Sequence, residues 1–126
     1  MGHEFRARLK RGDRLLGTMV TLPSAATAEI LAGVGFDWLF VDGEHGPLET
    51  AELAAILQVA GDKTACIVRV PEAAEVPIKK ALDLGAAGII VPQVNTAEQA
   101  ANMVRHAFFL GNGAKALLAE LKTVHP

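Results

Sequence analysis

The sequence alternates between short strand-like segments and helical segments about four times, and this alternation is the feature that most constrains the fold. Strands are predicted where β-branched and apolar residues cluster, at residues 16–22, 36–41, 65–70 and 88–94. The connections between elements are short throughout, which indicates parallel strands joined by helical crossovers. The expected fold is therefore a single α/β domain.

The helical segments are bounded by the residues that usually begin and end helices. Ser24 is placed to cap a helix that Gly33 and Gly35 would end. The remaining helices are predicted at residues 4–10, 49–59, 76–84 and 96–109, with a last amphipathic stretch at 114–122.

Composition excludes several classes of protein. The chain has 126 residues, of which 51% are hydrophobic, and this fits one globular domain and disfavours disorder. No apolar run reaches the roughly 20 residues of a membrane span, and no signal peptide is expected. The single cysteine, Cys66, is predicted to be buried and indicates a reducing, cytoplasmic location. A net charge of −2 gives no argument for a nucleic acid partner, and no membrane partner is expected.

Polar side chains follow three successive strands, and the carboxyl ends of parallel strands are where functional groups gather. They are Asp42, Glu44 and His45 after the second strand, Arg69 at the end of the third, and Gln93 and Asn95 after the fourth. Arg69 has apolar neighbours, so it needs an anionic partner to offset its desolvation. Each of the others, taken alone, is equally compatible with an ordinary polar loop.

Three stretches of the chain resemble the HpcH/HpaI aldolase family. They are residues 36–47, which include Asp-Gly-Glu-His-Gly-Pro, residues 67–71, and residues 78–98, which include Val-Pro-Gln-Val-Asn-Thr. The resemblance covers roughly residues 9–105. It implies a (β/α)₈ TIM barrel, of which this chain would supply about the first four βα units.

The resemblance also implies a function, which is that of a carbon–carbon lyase. The family's class II aldolases cleave a 4-hydroxy-2-oxo acid to pyruvate, or a related 2-oxo acid, and an aldehyde. By resemblance, His45 would act through a water as the base, Arg69 would stabilise the enolate, and Asp83 would make His45 more basic, with Gln93 as a substrate contact. A base of near-neutral pKa and a fixed positive charge are what enolate formation requires.

The family uses a divalent metal (Mg, Mn or Co), and its carboxylate ligands follow the fifth and sixth strands. Those strands lie beyond the four units found here, so no metal ligand is assigned. Residues 107–126 are expected to form a divergent C-terminal tail to a half-barrel domain spanning residues 1–126. Open sheet edges favour pairing with another chain, so a homo-oligomer is expected. The alternative to a lyase is an inactive module for 2-oxo-acid binding or oligomerisation, or a gene fragment.

Overall fold

The computed structural model describes residues 2–46 and 48–108. The helices are α1 (Gly2–Arg11), α2 (Ala25–Gly33), α3 (Thr50–Ala60), α4 (Glu75–Asp83) and α5 (Ala97–Phe108). The strands are β1 (Gly17–Val20), β2 (Trp38–Asp42), β3 (Ala65–Arg69) and β4 (Gly88–Ile90). The α/β fold predicted from the alternating pattern is confirmed.

The four strands form one parallel sheet in the order β1-β2-β3-β4. Because each strand lies beside the one that follows it, and right-handed crossovers are the rule, the connecting helices pack on the same face of the sheet. This sequential winding is that of a βα barrel and differs from a doubly wound sheet, in which the strand order reverses. The carboxyl ends of all four strands consequently lie at one edge.

The core lies between the sheet and its helices. Alternate strand residues supply one side of it, namely Val20, Leu39, Val41, Cys66 and Val68. The helices supply the other side, with Ala28, Ala32, Leu53, Ile56, Leu57, Ala60, Ile78 and Ala81. The opposite face of the sheet carries the intervening residues, and these include the pair at the ends of β2 and β3 that forms the candidate site.

Two local predictions are confirmed in detail. The Ser24 side chain accepts a hydrogen bond from the backbone N–H of Thr27 at 3.2 Å and so caps α2. Cys66 is 1% exposed, and burial raises the pKa of its thiol to about 11.

The structure differs from the sequence prediction in the length of the fourth strand. It was predicted to run to residue 94 but ends at Ile90. Pro92 has no N–H to donate to a strand ladder, and Gln93 adopts the left-handed conformation with φ 56°, so the backbone leaves the sheet there. The predicted stretch at 114–122 and most of the predicted tail at 107–126 lie outside the described residues.

Only some of the apolar side chains in and directly after α2 pack against the sheet. Ala28 and Ala32, four residues apart, face the sheet, whereas Ile30 and Val34 are 68% and 64% exposed. A helical residue two positions from a buried one points roughly to the opposite side, which explains the exposure of Ile30. Among the helices in the described ranges, none is long and apolar enough to span a bilayer.

Candidate active site

The centre of the candidate site is an ion pair between the last residues of two neighbouring strands. The register of β2 and β3 pairs Asp42 with Arg69, so both side chains lie on the same face of the sheet. Arg69 donates from Nε to Asp42 Oδ1 at 3.1 Å and from Nη2 to Oδ2 at 2.8 Å. This bidentate geometry fixes the plane and the direction of the guanidinium.

Burial and hydrogen bonding together set the charge state of the pair. The Asp42 side chain is only 3% exposed, and the hydrogen bonds from Arg69 lower its pKa from 3.8 to about 2 despite the cost of burial. The hydrogen bond from Arg69 to Asp42 raises the pKa of the arginine in turn. Arg69 also packs over Phe40, with Cζ 5.2 Å from the ring centroid. Arg69 thus stays charged and oriented on the sheet.

Asp42 also folds the loop that carries Glu44 and His45. Its Oδ1 accepts hydrogen bonds from the backbone N–H groups of Glu44 at 3.0 Å and His45 at 3.1 Å. These contacts hold the loop in an Asx-type turn directly after β2. One carboxylate therefore positions both Arg69 and the loop.

The two glycines of the loop are required by the close approach of neighbouring backbone. A Cβ at Gly43 would lie 2.7 Å from the Arg69 carbonyl oxygen, and a Cβ at Gly46 would lie 2.6 Å from the Asp42 carbonyl oxygen. Real Cβ atoms do not tolerate such contacts with backbone, so the loop conformation depends on glycine at both positions.

His45 and Arg69 come into direct contact. Arg69 Nη2 lies 2.9 Å from His45 Nδ1, and His45 Nε2 lies 3.3 Å from Glu44 Oε1. Glu44 Oε2 lies 3.4 Å from Arg69 Nε. The structure thus brings together two of the residues expected at the site, His45 and Arg69, and adds Asp42 and Glu44 as their partners.

The other two expected residues are placed differently. Gln93 follows β4 at the same edge of the sheet, is exposed, and makes no hydrogen bond with Arg69 or His45. Asp83 is the last residue of α4, which runs antiparallel to the strands from the carboxyl end of β3 back to the amino end of β4. Within one chain, Asp83 therefore lies at the edge of the sheet opposite His45.

The residues of this cluster do not form a metal site. Among residues 2–46 and 48–108, no group of three or more His, Cys, Asp or Glu side chains could hold a metal ion. Both oxygens of Asp42 already accept hydrogen bonds from Arg69, and Glu44 faces Arg69 and His45. The side chains at this edge therefore do not fit a divalent metal.

A cavity of about 290 Å³ lies between α3 and α4, behind the loop. It shares the Gly43 backbone with the loop, but Asp42, His45 and Arg69 do not line it. Its lining is mostly apolar, with Lys80 Nζ donating to Thr50 Oγ1 at 3.0 Å on its wall. The cavity and the cluster around Arg69 are therefore separate features.

Comparison with known proteins decides the family. The model of the HpcH/HpaI aldolase/citrate lyase family matches residues 16–122. The chain belongs to this family. It is 45% identical over 105 residues to 4-hydroxy-2-oxovalerate aldolase of Rhodococcus jostii, a match that covers 82% of this chain and 41% of that protein. It is 38% identical over 105 residues to 2-keto-3-deoxy-L-rhamnonate aldolase of Escherichia coli, covering 82% of this chain and 39% of the relative.

The fold agrees with this assignment. A crystal structure of an HpcH/HpaI aldolase/citrate lyase family protein from Burkholderia cenocepacia superimposes with a TM-score of 0.79 at 32% identity, covering 90% of this chain and 46% of that one. This chain spans about two fifths of the length of the curated relatives that it matches. The relatives that the chain matches are named as aldolases.

Proposed function

We propose that this chain contributes a site for carbon–carbon bond cleavage, in which a 4-hydroxy-2-oxo acid breaks down to pyruvate, or a related 2-oxo acid, and an aldehyde, and for the reverse addition. The observation that carries the proposal is the 2.9 Å contact between the Arg69 guanidinium and the His45 imidazole, on an arginine held bidentately by Asp42. A fixed cation beside a base is the arrangement that enolate chemistry requires.

Arg69 has hydrogen-bond donors left for a substrate. Nε and Nη2 are directed at Asp42 and His45, whereas Nη1 has no hydrogen-bond partner among the described residues. The two N–H groups of Nη1 are therefore the donors that we assign to the keto oxygen of the 2-oxo acid. Charge that develops on this oxygen in the enolate is stabilised by the adjacent guanidinium.

His45 is assigned the proton transfer. Its side chain is 69% exposed and projects from the loop beside Arg69, where a water between the ring and the substrate can carry a proton. In the direction of addition, a proton leaves the methyl group of pyruvate for His45, and the C–H electron pair forms the enolate double bond. In the direction of cleavage the same ring returns that proton.

The remaining assignments follow from the family and are part of the proposal. Gln93 is kept as a substrate contact at the same edge of the sheet, and a requirement for Mg²⁺, Mn²⁺ or Co²⁺ is kept as the family's expectation. Asp83 can act on His45 only from a second copy of the chain, because α4 carries it to the opposite edge. The proposed homo-oligomer is the setting in which such a contact could form.

The proposal is tested by exchange of the pyruvate methyl protons in D₂O, followed by proton NMR with and without added divalent metal. This reaction reports enolate formation without requiring the aldehyde. We expect exchange that falls at least 100-fold in His45→Ala, since a positioned base contributes about 10²–10⁴-fold. We expect Arg69→Ala to weaken pyruvate binding as well as exchange.

Lys63→Ala is the matched control for loss of a positive charge. Lys63 pairs with Glu29 at the amino end of β3, away from the site, so exchange should be unchanged. Folded protein that binds pyruvate through Arg69 but exchanges no protons would refute the lyase proposal and favour the 2-oxo-acid-binding module. Exchange that survives in both His45→Ala and Arg69→Ala would refute the residue assignments.

A further inference from the structure

Thr21 lies directly after β1, at the edge of the sheet that carries the candidate site. The register of β1 and β2 pairs residue 20 with 41, so Thr21 comes next to Asp42 at the end of the two strands. Val20 faces the core with 2% exposure, whereas Thr21 is exposed, as expected for consecutive strand residues that point to opposite faces. Thr21 therefore lies on the face of the sheet that carries Asp42 and Arg69.

The loop after β2 lies against the same end of β1. A Cβ at Gly46 would lie 3.2 Å from the Thr21 carbonyl oxygen, so the residue that follows His45 packs on the backbone of Thr21. The hydroxyl of Thr21 has no hydrogen-bond partner among residues 2–46 and 48–108. It is thus an exposed donor and acceptor next to the loop that carries His45.

The position of the Arg69 guanidinium brings it close to β1. Arg69 belongs to β3, but its side chain leans across the sheet onto β2, where it is bound by Asp42 and packs over Phe40. Neighbouring strands are about 4.8 Å apart, so the guanidinium lies about one strand spacing from β1. In a 2-oxo acid, C4 is only two bonds from the keto carbon. An acid bound to Arg69 through its keto oxygen can therefore bring C4 within reach of Thr21.

We propose that Thr21 is a specificity-determining residue, whose hydroxyl forms a hydrogen bond with the oxygen on C4 of a 4-hydroxy-2-oxo acid held at Arg69. This inference rests on the proposed function for the position of the acid. A threonine hydroxyl both donates and accepts, so it can accept from the C4 hydroxyl of the acid and donate to the carbonyl oxygen of the aldehyde that C4 becomes on cleavage. Thr21 thus favours acids that carry an oxygen on C4 over acids that do not.

A purely structural role is the other explanation for Thr21. β-Branched residues favour extended backbone, and this preference would account for threonine here without any use of its hydroxyl. Valine has the same branching and nearly the same shape but no hydroxyl, whereas serine keeps the hydroxyl and lacks the branch. Thr21→Val and Thr21→Ser therefore separate the hydrogen bond from the backbone preference.

The test measures the affinity of the chain for 4-hydroxy-2-oxopentanoate and for 2-oxopentanoate, which differ only by the C4 hydroxyl. Both acids are titrated by ligand-observed NMR, with and without added Mg²⁺, into chains that also carry His45→Ala, so that the hydroxy acid is not consumed. With Thr21 present, we expect the hydroxy acid to bind about fivefold more tightly, as for one neutral hydrogen bond. Thr21→Val should remove this preference without changing the affinity for 2-oxopentanoate, and Thr21→Ser should keep it.

Thr18→Val is the matched control, because Thr18 lies two residues before Val20 in β1 and shares its face toward the core. The preference for the hydroxy acid should survive in this variant. In chains that retain His45, Thr21→Val should leave the exchange of pyruvate methyl protons unchanged, because pyruvate has no C4.

Two results for Thr21→Val would overturn the inference. One is a preference for the hydroxy acid that survives, and the other is an equal loss of affinity for both acids, which would indicate a structural role. Binding of 2-oxopentanoate with no preference for the hydroxy acid when Thr21 is present would also overturn it, while the proposed function would stand. Binding of neither acid would count against the proposed function and, with it, against this assignment.

Discussion

Replacing Asp42 by asparagine tests the view that one buried carboxylate organises the whole candidate site. Asp42 is 3% exposed and accepts hydrogen bonds from Arg69 and from the backbone of Glu44 and His45. Asparagine has the same shape and retains one oxygen for the backbone N–H groups. It loses the charge, however, and directs an NH₂ group at the guanidinium or at those N–H groups.

The magnitude follows from the pKa of Asp42, which falls from 3.8 to about 2 on folding. At about 1.4 kcal/mol per pKa unit, the charged form contributes about 2 kcal/mol to the free energy of unfolding. Because the folded-state pKa is the lower one, this contribution is complete above pH 4 and is lost as the pH falls toward 2. Asp42→Asn should therefore destabilise the protein by about 2 kcal/mol at pH 7 but only about 1 kcal/mol at pH 3.

The assay is urea unfolding followed by far-ultraviolet circular dichroism at pH 7 and pH 3. Asp62→Asn serves as the control, since Asp62 is exposed in the connection between α3 and β3 and should change stability by less than about 0.5 kcal/mol. A loss in Asp42→Asn no larger than that of the control at pH 7 would refute the reasoning. A loss that is equally large at pH 3 would show that shape, and not charge, accounts for the effect.

Three further predictions concern the scaffold around the site. Gly46→Ala places a Cβ 2.6 Å from the Asp42 carbonyl oxygen and should cost about 1–3 kcal/mol in urea unfolding, whereas Gly33→Ala, where a Cβ meets nothing within 4 Å, should not. The thiol of Cys66 has a pKa of about 11, so at pH 8 it should react with a disulfide reagent on the order of 100-fold more slowly than free cysteine. Equal reaction rates in the folded and the urea-unfolded chain would contradict the burial of this thiol. Ser24→Ala should lower the unfolding free energy by about 1 kcal/mol through loss of the α2 cap, and Ser24→Thr, a weaker cap that keeps the hydroxyl, should lower it by less.

The fold was predictable because its signals are local. Strand-like and helical segments alternate with turn residues between them, and short connections leave parallel pairing as the way to join them. The prediction was wrong about the end of β4, because an apolar run continues past Ile90 while Pro92 and the left-handed Gln93 take the backbone out of the sheet. The spacing of hydrophobic residues does not predict where the backbone turns out of a sheet.

The Asp42–Arg69 pair was only half predicted. The sequence indicated that Arg69 needs an anion, but it did not select Asp42 over Glu44 as the partner. The register of the sheet identifies Asp42 as the partner of Arg69, because β2 and β3 pair residue 38 with 65 and therefore 42 with 69. Counting from the predicted starts of the two strands, residues 36 and 65, would have paired residue 42 with 71, so the observed register is needed to identify the partner. The position of Glu44 beside Arg69 and His45 was not predictable in this way, since Glu44 lies in the turn that Asp42 forms with the loop backbone.

Asp83 shows why a matched motif does not establish a contact. The motif fixes the position of Asp83 in the sequence, but the nine residues of α4 carry it about 13 Å along the helix, away from the carboxyl edge of the sheet. The predicted action of Asp83 on His45 therefore stays a prediction, and it requires a second copy of the chain. If Asp83→Asn nevertheless changes pyruvate exchange without changing stability, a second copy of the chain must deliver the carboxylate, and the effect should weaken on dilution as the oligomer dissociates.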